Sequence, residues 1–251
     1  MGRQKGPLKV KGTLGDITFA KGRNGYVVKE KSEISPEMRA NSKEFAALRA
    51  QQAEFGRSGI ACRLLRRAFQ EQVDIAKDFR SSQRLQKRMM QVVYSDNVNR
   101  RGQRDVISGD LSMLEDFEFN VNADWMHSLN LTYASVIDRA AGAAGVSLPA
   151  FVPQQRITAS HNSTHFRIVC AAAEIDFVNG SYDAVVTQSA LIPIDFAVVP
   201  PMNLTNQLTP ASTKTIFLVL GIQFSEVTNG FEDLIVNGKY NALTIIKVDR
   251  V

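Results

Sequence analysis

Scarcity narrows what this chain can be before any motif is read. Only two cysteines, Cys62 and Cys170, occur among 251 residues, and they stand far apart. They could form at most one disulfide, and two reduced, buried thiols are the expectation. No run approaches the ~18 apolar residues that cross a bilayer, so no membrane partner is expected. The first residues, 1–11, are basic and lack an apolar stretch, so they do not read as a secretory signal and a cytoplasmic location is expected. Phosphate-cradling G-x-x-x-x-G-K-[ST], dinucleotide G-x-G-x-x-G and nucleophilic G-x-S-x-G patterns are all missing.

What the chain has is apolar content sufficient for a sizeable core, 44% of residues, and an uneven charge. Residues 1–104 hold 23 Lys+Arg against 10 Asp+Glu, a net of +13; residues 105–251 hold 7 against 15, a net of −8. Such a division points to a polyanionic partner or to contact between unlike faces of identical subunits.

Alternation of Ile17-Thr18-Phe19 and of Tyr26-Val27-Val28 around Asn24-Gly25 predicts a β-hairpin over 16–31, preceded by a basic, glycine-containing arm. A lone hairpin is marginal and needs something to pack on. Ser35-Pro36-Glu37 is a helix start, with a capping hydroxyl, a proline in the first turn and a carboxylate beside the positive helix end. Three helices are expected, over 35–55 (stopped by Gly56), 58–79 and 82–94. The second turns Leu64, Leu65, Ala68, Phe69, Val73 and Ala76 to one side. The third buries Leu85, Met89, Val92 and Val93 and leaves Arg84, Lys87 and Arg88 outward. Residues 97–104 have no period and read as a connecting loop.

From Phe117 onward turns and short apolar runs dominate. One helix is expected over 125–141, ended by Gly142 to Gly145. Strands are expected over 166–172, 174–178, 181–187, 190–198, 214–225, 232–236 and 240–248, with Asn-Gly turns at 179–180, 229–230 and 237–238. The expected fold class is therefore α+β: an arm and hairpin over 1–34, a basic three-helix segment over 35–108, and an antiparallel, jelly-roll-like β-sandwich over 109–251.

No constellation in this sequence points to an enzyme. His161 and His165 lie four apart on what reads as loop leading into strand, where ~13 Å would separate them, too far to share a metal ion. Cys62 beside Arg63 sits on an apolar helix flank, where packing explains it. Neither cofactor nor small-molecule substrate is expected.

Arginine clusters are the positive signal: Arg63, Arg66 and Arg67, then Arg84, Lys87 and Arg88, then Arg100, Arg101 and Arg104. They would meet phosphate backbones in a salt-dependent way, or the acidic half of another copy. No aromatics are interleaved to stack bases, so recognition of nucleic acid would be nonspecific. The hairpin residues Ile17, Phe19, Tyr26 and Val28 are the expected exchange surface between subunits.

The segments Lys11-Gly12-Thr13-Leu14-Gly15-Asp16-Ile17-Thr18-Phe19, Gly25-Tyr26-Val27-Val28-Lys29-Glu30-Lys31 and Glu54-Phe55-Gly56 follow one another in an order that continues with Arg101-Gly102-Gln103-Arg104, Thr164-His165-Phe166-Arg167, Ile175-Asp176-Phe177 and 236–242. In this the chain resembles a protein family common in Bacteroidota genomes that has no assigned activity. The resemblance implies a bacterial, phage-borne or mobile-element origin and nothing about mechanism. This chain departs from it with Ala20 in place of an aromatic and Ser32-Glu33 in place of glycines. The reading taken forward is a non-enzymatic, self-associating structural protein building a filament, tube or phage-like shell. The alternative is a nucleic-acid-binding or packaging protein that uses the same arginines.

Overall fold

The computed structural model describes residues 2–31, 34–236 and 238–250. The chain divides into two compact units, residues 1–49 and 50–251.

In the first unit, β1 (Gly2–Arg3), β2 (Gly12–Leu14), β3 (Ile17–Gly22) and β4 (Gly25–Glu30) form an antiparallel sheet in the order β1-β4-β3-β2. The expected hairpin is β3–β4, but its turn residues are Arg23-Asn24, and Gly25, at φ +106°, opens the returning strand. The basic arm is not shapeless: it supplies the two outer strands. The Gln4 side chain holds the intervening loop, donating to the Val10 carbonyl at 3.1 Å and accepting from the Val10 amide at 2.9 Å.

Helix α1 (Pro36–Asn41) starts as expected, with Ser35 Oγ accepting from the Met38 amide at 3.0 Å. It ends early because Ser42 competes with the helix for backbone partners, its hydroxyl accepting from the Glu44 amide. A 3-10 turn over Lys43–Phe45 follows, and then α2 (Ala46–Ala68) runs through Gly56 without a break. Gly56 keeps negative φ, so it does not terminate the helix.

The second unit continues with α3 (Gln70–Ala76), α4 (Ser81–Tyr94), β5 (Phe117–Glu118), α5 (Trp125–Ser128), β6 (Ala134–Asp138), β7 (Ala143–Leu148), α6 (Pro153–Arg156), β8 (His165–Asp176), β9 (Ser181–Gln188), β10 (Ile192–Pro193), β11 (Met202–Gln207), β12 (Thr215–Thr228), β13 (Phe231–Leu234) and β14 (Ala242–Asp249). Seven strands form the main sheet, β10-β8-β12-β14-β5 with β9 also on β8 and β13 also on β12; β11-β7-β6 form a second.

The long central strands β8 and β12 are buried on both faces, as the run Thr215 to Leu220 predicts. Ala171, Ala173, Ile175, Phe217 and Val219 join a core with Leu64, Leu65, Phe69, Val73, Leu85, Met89, Val92 and Val93 of the helices. Cys170, Ala172, Leu218, Leu220 and Ile222 face the second sheet, against Val146, Leu148 and Leu204. The result is three layers: helices, seven-stranded sheet, three-stranded sheet. The α+β class holds and two sheets do share a core. Yet the expected boundary near residue 108 is absent, because α2–α4 and the main sheet bury one another's apolar faces. The two sheets have seven and three strands, and helices cover the other face of the larger one.

The helix expected over 125–141 is a single turn, α5, followed by β6. Val136 and Ile137 favour extended chain, and the segment pairs with β7. Gly145 is a packing glycine in β7, where a Cβ would lie 2.5 Å from the Leu204 carbonyl oxygen. Residues 166–172 and 174–178 are one strand, β8. Asn229-Gly230 makes the expected turn, two residues long with both at positive φ. At Asn179-Gly180 a two-residue hairpin is expected, but the loop is four residues, Phe177–Gly180, because the Asp176 carboxylate accepts from the Val178 and Asn179 amides and holds the wider turn. Asn237 of the third predicted turn lies outside the described residues. Among the described residues, no helix is long and apolar enough to cross a membrane.

Candidate interaction surfaces

Register places the four hairpin residues singled out by alternation on one face. Phe19 pairs with Val28, Ile17 with Glu30 and Lys21 with Tyr26, so Ile17, Phe19, Tyr26 and Val28 share a side, and Leu14 of β2 joins them opposite Ile17. Lys21 lies over the Tyr26 ring, 5.7 Å from its centroid. Among the described residues of 1–49 none is buried, and Leu14 is 77% exposed. The sheet of this unit has one apolar face, and no described residue of the unit is buried against it.

The nine basic residues divide by how the second unit uses them. Arg84, expected outward, is half-buried: it donates to the Glu118 carbonyl at 2.7 Å, pairs with the Asp78 carboxylate, and stacks over Phe117 at 5.4 Å. Its guanidinium straps α4 to β5. Arg88 donates to the Met113 carbonyl at 2.6 Å, and Arg66, half-buried, donates to Ser82 Oγ at 2.9 Å, joining α2 to α4. Arg104 is half-buried, its Nε without a hydrogen-bond partner. Arg63, Arg67, Lys87, Arg100 and Arg101 are exposed, and their side chains make no hydrogen bond or ion pair among the described residues. They are the cations available to a partner.

Residues 97–104 are not a slack connection. Asp96 is 2% exposed, and its carboxylate accepts from the amides of Val98, Asn99 and Asp105 and from the Asn99 side chain. Burial alone would raise this carboxyl; the Asn99 bonds and the other amides outweigh it and hold it down at about 2. The Gly102 amide donates to Glu54 Oε1 at 2.6 Å, and Arg57 grips the carbonyls of Gly102 and Arg104. The loop carrying Arg100 and Arg101 is thereby anchored to α2.

Beside α2 lies a cleft of about 470 Å³. Its floor is apolar, formed by Ile60, Leu64, Val106, Ile107 and Val178, and Arg57, Arg63 and Arg67 stand along it. Ile60 and Val178 are 60% and 74% exposed, high values for such side chains. The one carboxylate there, Asp105, accepts from the amides of Ile107 and Ser108. Sequence reading passed over Ile60 and the cleft. The signal was present in the helical spacing 57, 60, 64, 67, which sets an isoleucine inside a basic stripe.

Cys62 and Cys170 are buried in separate cores, and burial pushes both thiols up to about 12. His165 Nδ1 is 2.9 Å from Thr164 Oγ1, and no group of three or more His, Cys, Asp or Glu suited to a metal occurs among the described residues. Comparison with family models, curated proteins and solved structures finds no match to this chain.

Proposed function

We propose that this chain is a non-enzymatic structural protein that associates with copies of itself into an ordered assembly, with the apolar face of the β1–β4 sheet as one of its contacts. The observation that carries the reading is that residues 2–31 form a four-stranded sheet in which no described side chain is buried. A small sheet with one apolar face is stable only when that face is covered. A second copy offers the same face, with Phe19 and Val28 at its centre. The filament, tube or phage-like shell is the form such an assembly takes, in the cytoplasm or within a particle. The facing sheets of the second unit, a β-sandwich capped by helices, serve as its rigid body.

A second reading, nonspecific binding of nucleic acid, is favoured by one observation: five exposed cations, Arg63, Arg67, Lys87, Arg100 and Arg101, have no anionic partner among the described residues.

The test is the light-scattering mass of nuclease-treated protein at low and high salt, for the parent chain and for Phe19→Asp/Val28→Asp. A particle larger than the 27.8 kDa chain, reduced by the double substitution, is expected. A parent monomer at both salts would overturn the structural reading and put nucleic-acid binding first.

A further inference from the structure

The β12–β13 hairpin carries an uncompensated charge. Its register sets Glu226 directly opposite Asp233 and Thr228 opposite Phe231. Alternation puts all four on one face. Two carboxylates opposed across an antiparallel ladder repel one another unless a cation lies between them. Neither has a hydrogen-bond or ion-pair partner among the described residues, whereas Glu232, on the other face, is bonded to Arg167 and Ser225. Next to the acid pair stands Phe231, 76% exposed. The hairpin thus presents an exposed aromatic ring next to an opposed pair of carboxylates, at the Asn229-Gly230 turn.

The α2 cleft is its chemical complement: an apolar floor centred on Ile60 and Val178, with the unpaired guanidiniums of Arg63 and Arg67 beside it. Aromatic anchors seated in apolar pockets and ringed by complementary charge are how protein contacts concentrate their energy. The two surfaces cannot meet within one chain. Val178 belongs to the loop that follows β8, and Thr215 of β12 pairs with Ile175 at that end of the strands, while the hairpin continues from the other end, past Ser225 paired with His165. The fourteen residues of β12, Thr215 to Thr228, separate them, roughly 40 Å of extended strand.

We infer that the Phe231 hairpin of one copy docks in the α2 cleft of the next, Glu226 and Asp233 pairing with Arg63 and Arg67. Different surfaces at opposite ends of the central strands make this contact heterologous, so repetition yields a ring or an open filament rather than a closed two-fold dimer. The inference rests on the self-association proposed above and names its second contact, independent of the N-terminal sheet.

Charge exchange tests it on the full chain. Glu226→Lys/Asp233→Lys sets lysines against the cleft arginines; Arg63→Glu/Arg67→Glu sets glutamates against the hairpin acids. Each variant alone is expected to lose at least tenfold in self-association by sedimentation velocity. An equimolar mixture is expected to regain it, because each then offers the other two complementary contacts. Circular dichroism melts check folding, and Glu226→Gln/Asp233→Asn with Arg63→Gln/Arg67→Gln replace any variant that does not fold, each again expected to weaken association. Variants that assemble like the parent, or a mixture that recovers nothing, would overturn the contact while leaving self-association standing. A parent that never assembles would overturn both.

Discussion

The Thr244 hydroxyl donates to Glu118 Oε2 at 2.6 Å across the β14–β5 ladder, where the two residues pair directly. Burial dominates this carboxyl and pushes it up to about 7, further than the Thr244 and Trp125 hydrogen bonds pull it down. A carboxyl that ionises later in the folded chain than in the unfolded one, here about 7 against 4.5, favours folding while it is protonated. Its contribution is therefore complete below about pH 4.5, is lost as pH rises toward 7, and is gone above that. The loss is on the order of 3 kcal/mol. Denaturant unfolding of Glu118→Gln between pH 4.5 and 8 is expected to show a flatter profile than the parent. Parallel profiles would mean that Glu118 ionises normally in the fold.

The two arginine classes make opposite predictions. Arg84→Ala removes the donor to the Glu118 and Phe119 carbonyls and leaves the nearly buried Asp78 carboxylate without its cation. A cost of about 3 kcal/mol is expected. Arg67→Ala, at an exposed position without partners, should stay within about 0.5 kcal/mol of the parent. Urea midpoints of both variants decide it, and equal midpoints would show that Arg84 is an ordinary surface cation.

Gly109 allows the chain to pass close to the end of α4. A Cβ there would lie 2.2 Å from the Val92 carbonyl oxygen, a backbone atom that cannot rotate aside. Gly109→Ala is expected to destabilise the second unit by about 2 kcal/mol or more. A melting temperature equal to the parent's would show that the segment shifts freely.

Local patterning made some of this legible. The apolar spacing of α4 marks Leu85, Met89, Val92 and Val93 as core, and all four are buried. Alternation marks Ile17, Phe19, Tyr26 and Val28 as one face, which register then places together. Arg84 was illegible: helical phase turns it outward beside Lys87 and Arg88, but its long side chain reaches back to β5, thirty-four residues on. Strands β6 and β7 went unread because Gly142 and Gly145 look like a helix stop, and β11 went unread as well. What Gly145 serves is the close approach of Leu204, a contact that only the paired strand reveals.

By itself the sequence determined the helix cap at Ser35, the amphipathic α4, the presence of a turn at Asn229-Gly230, the apolar middle strand β12 and the division of charge. Each depends on interactions spanning only a few residues, or on composition alone. Tertiary structure decided which arginines are spent on carbonyls and which stay free, that α2–α4 share a core with the main sheet, and that Glu226 stands opposite Asp233 at the far end of the strands from Arg63. Those relations join residues far apart in the chain, and their geometry is set by ladder register and layer packing, which no local pattern encodes.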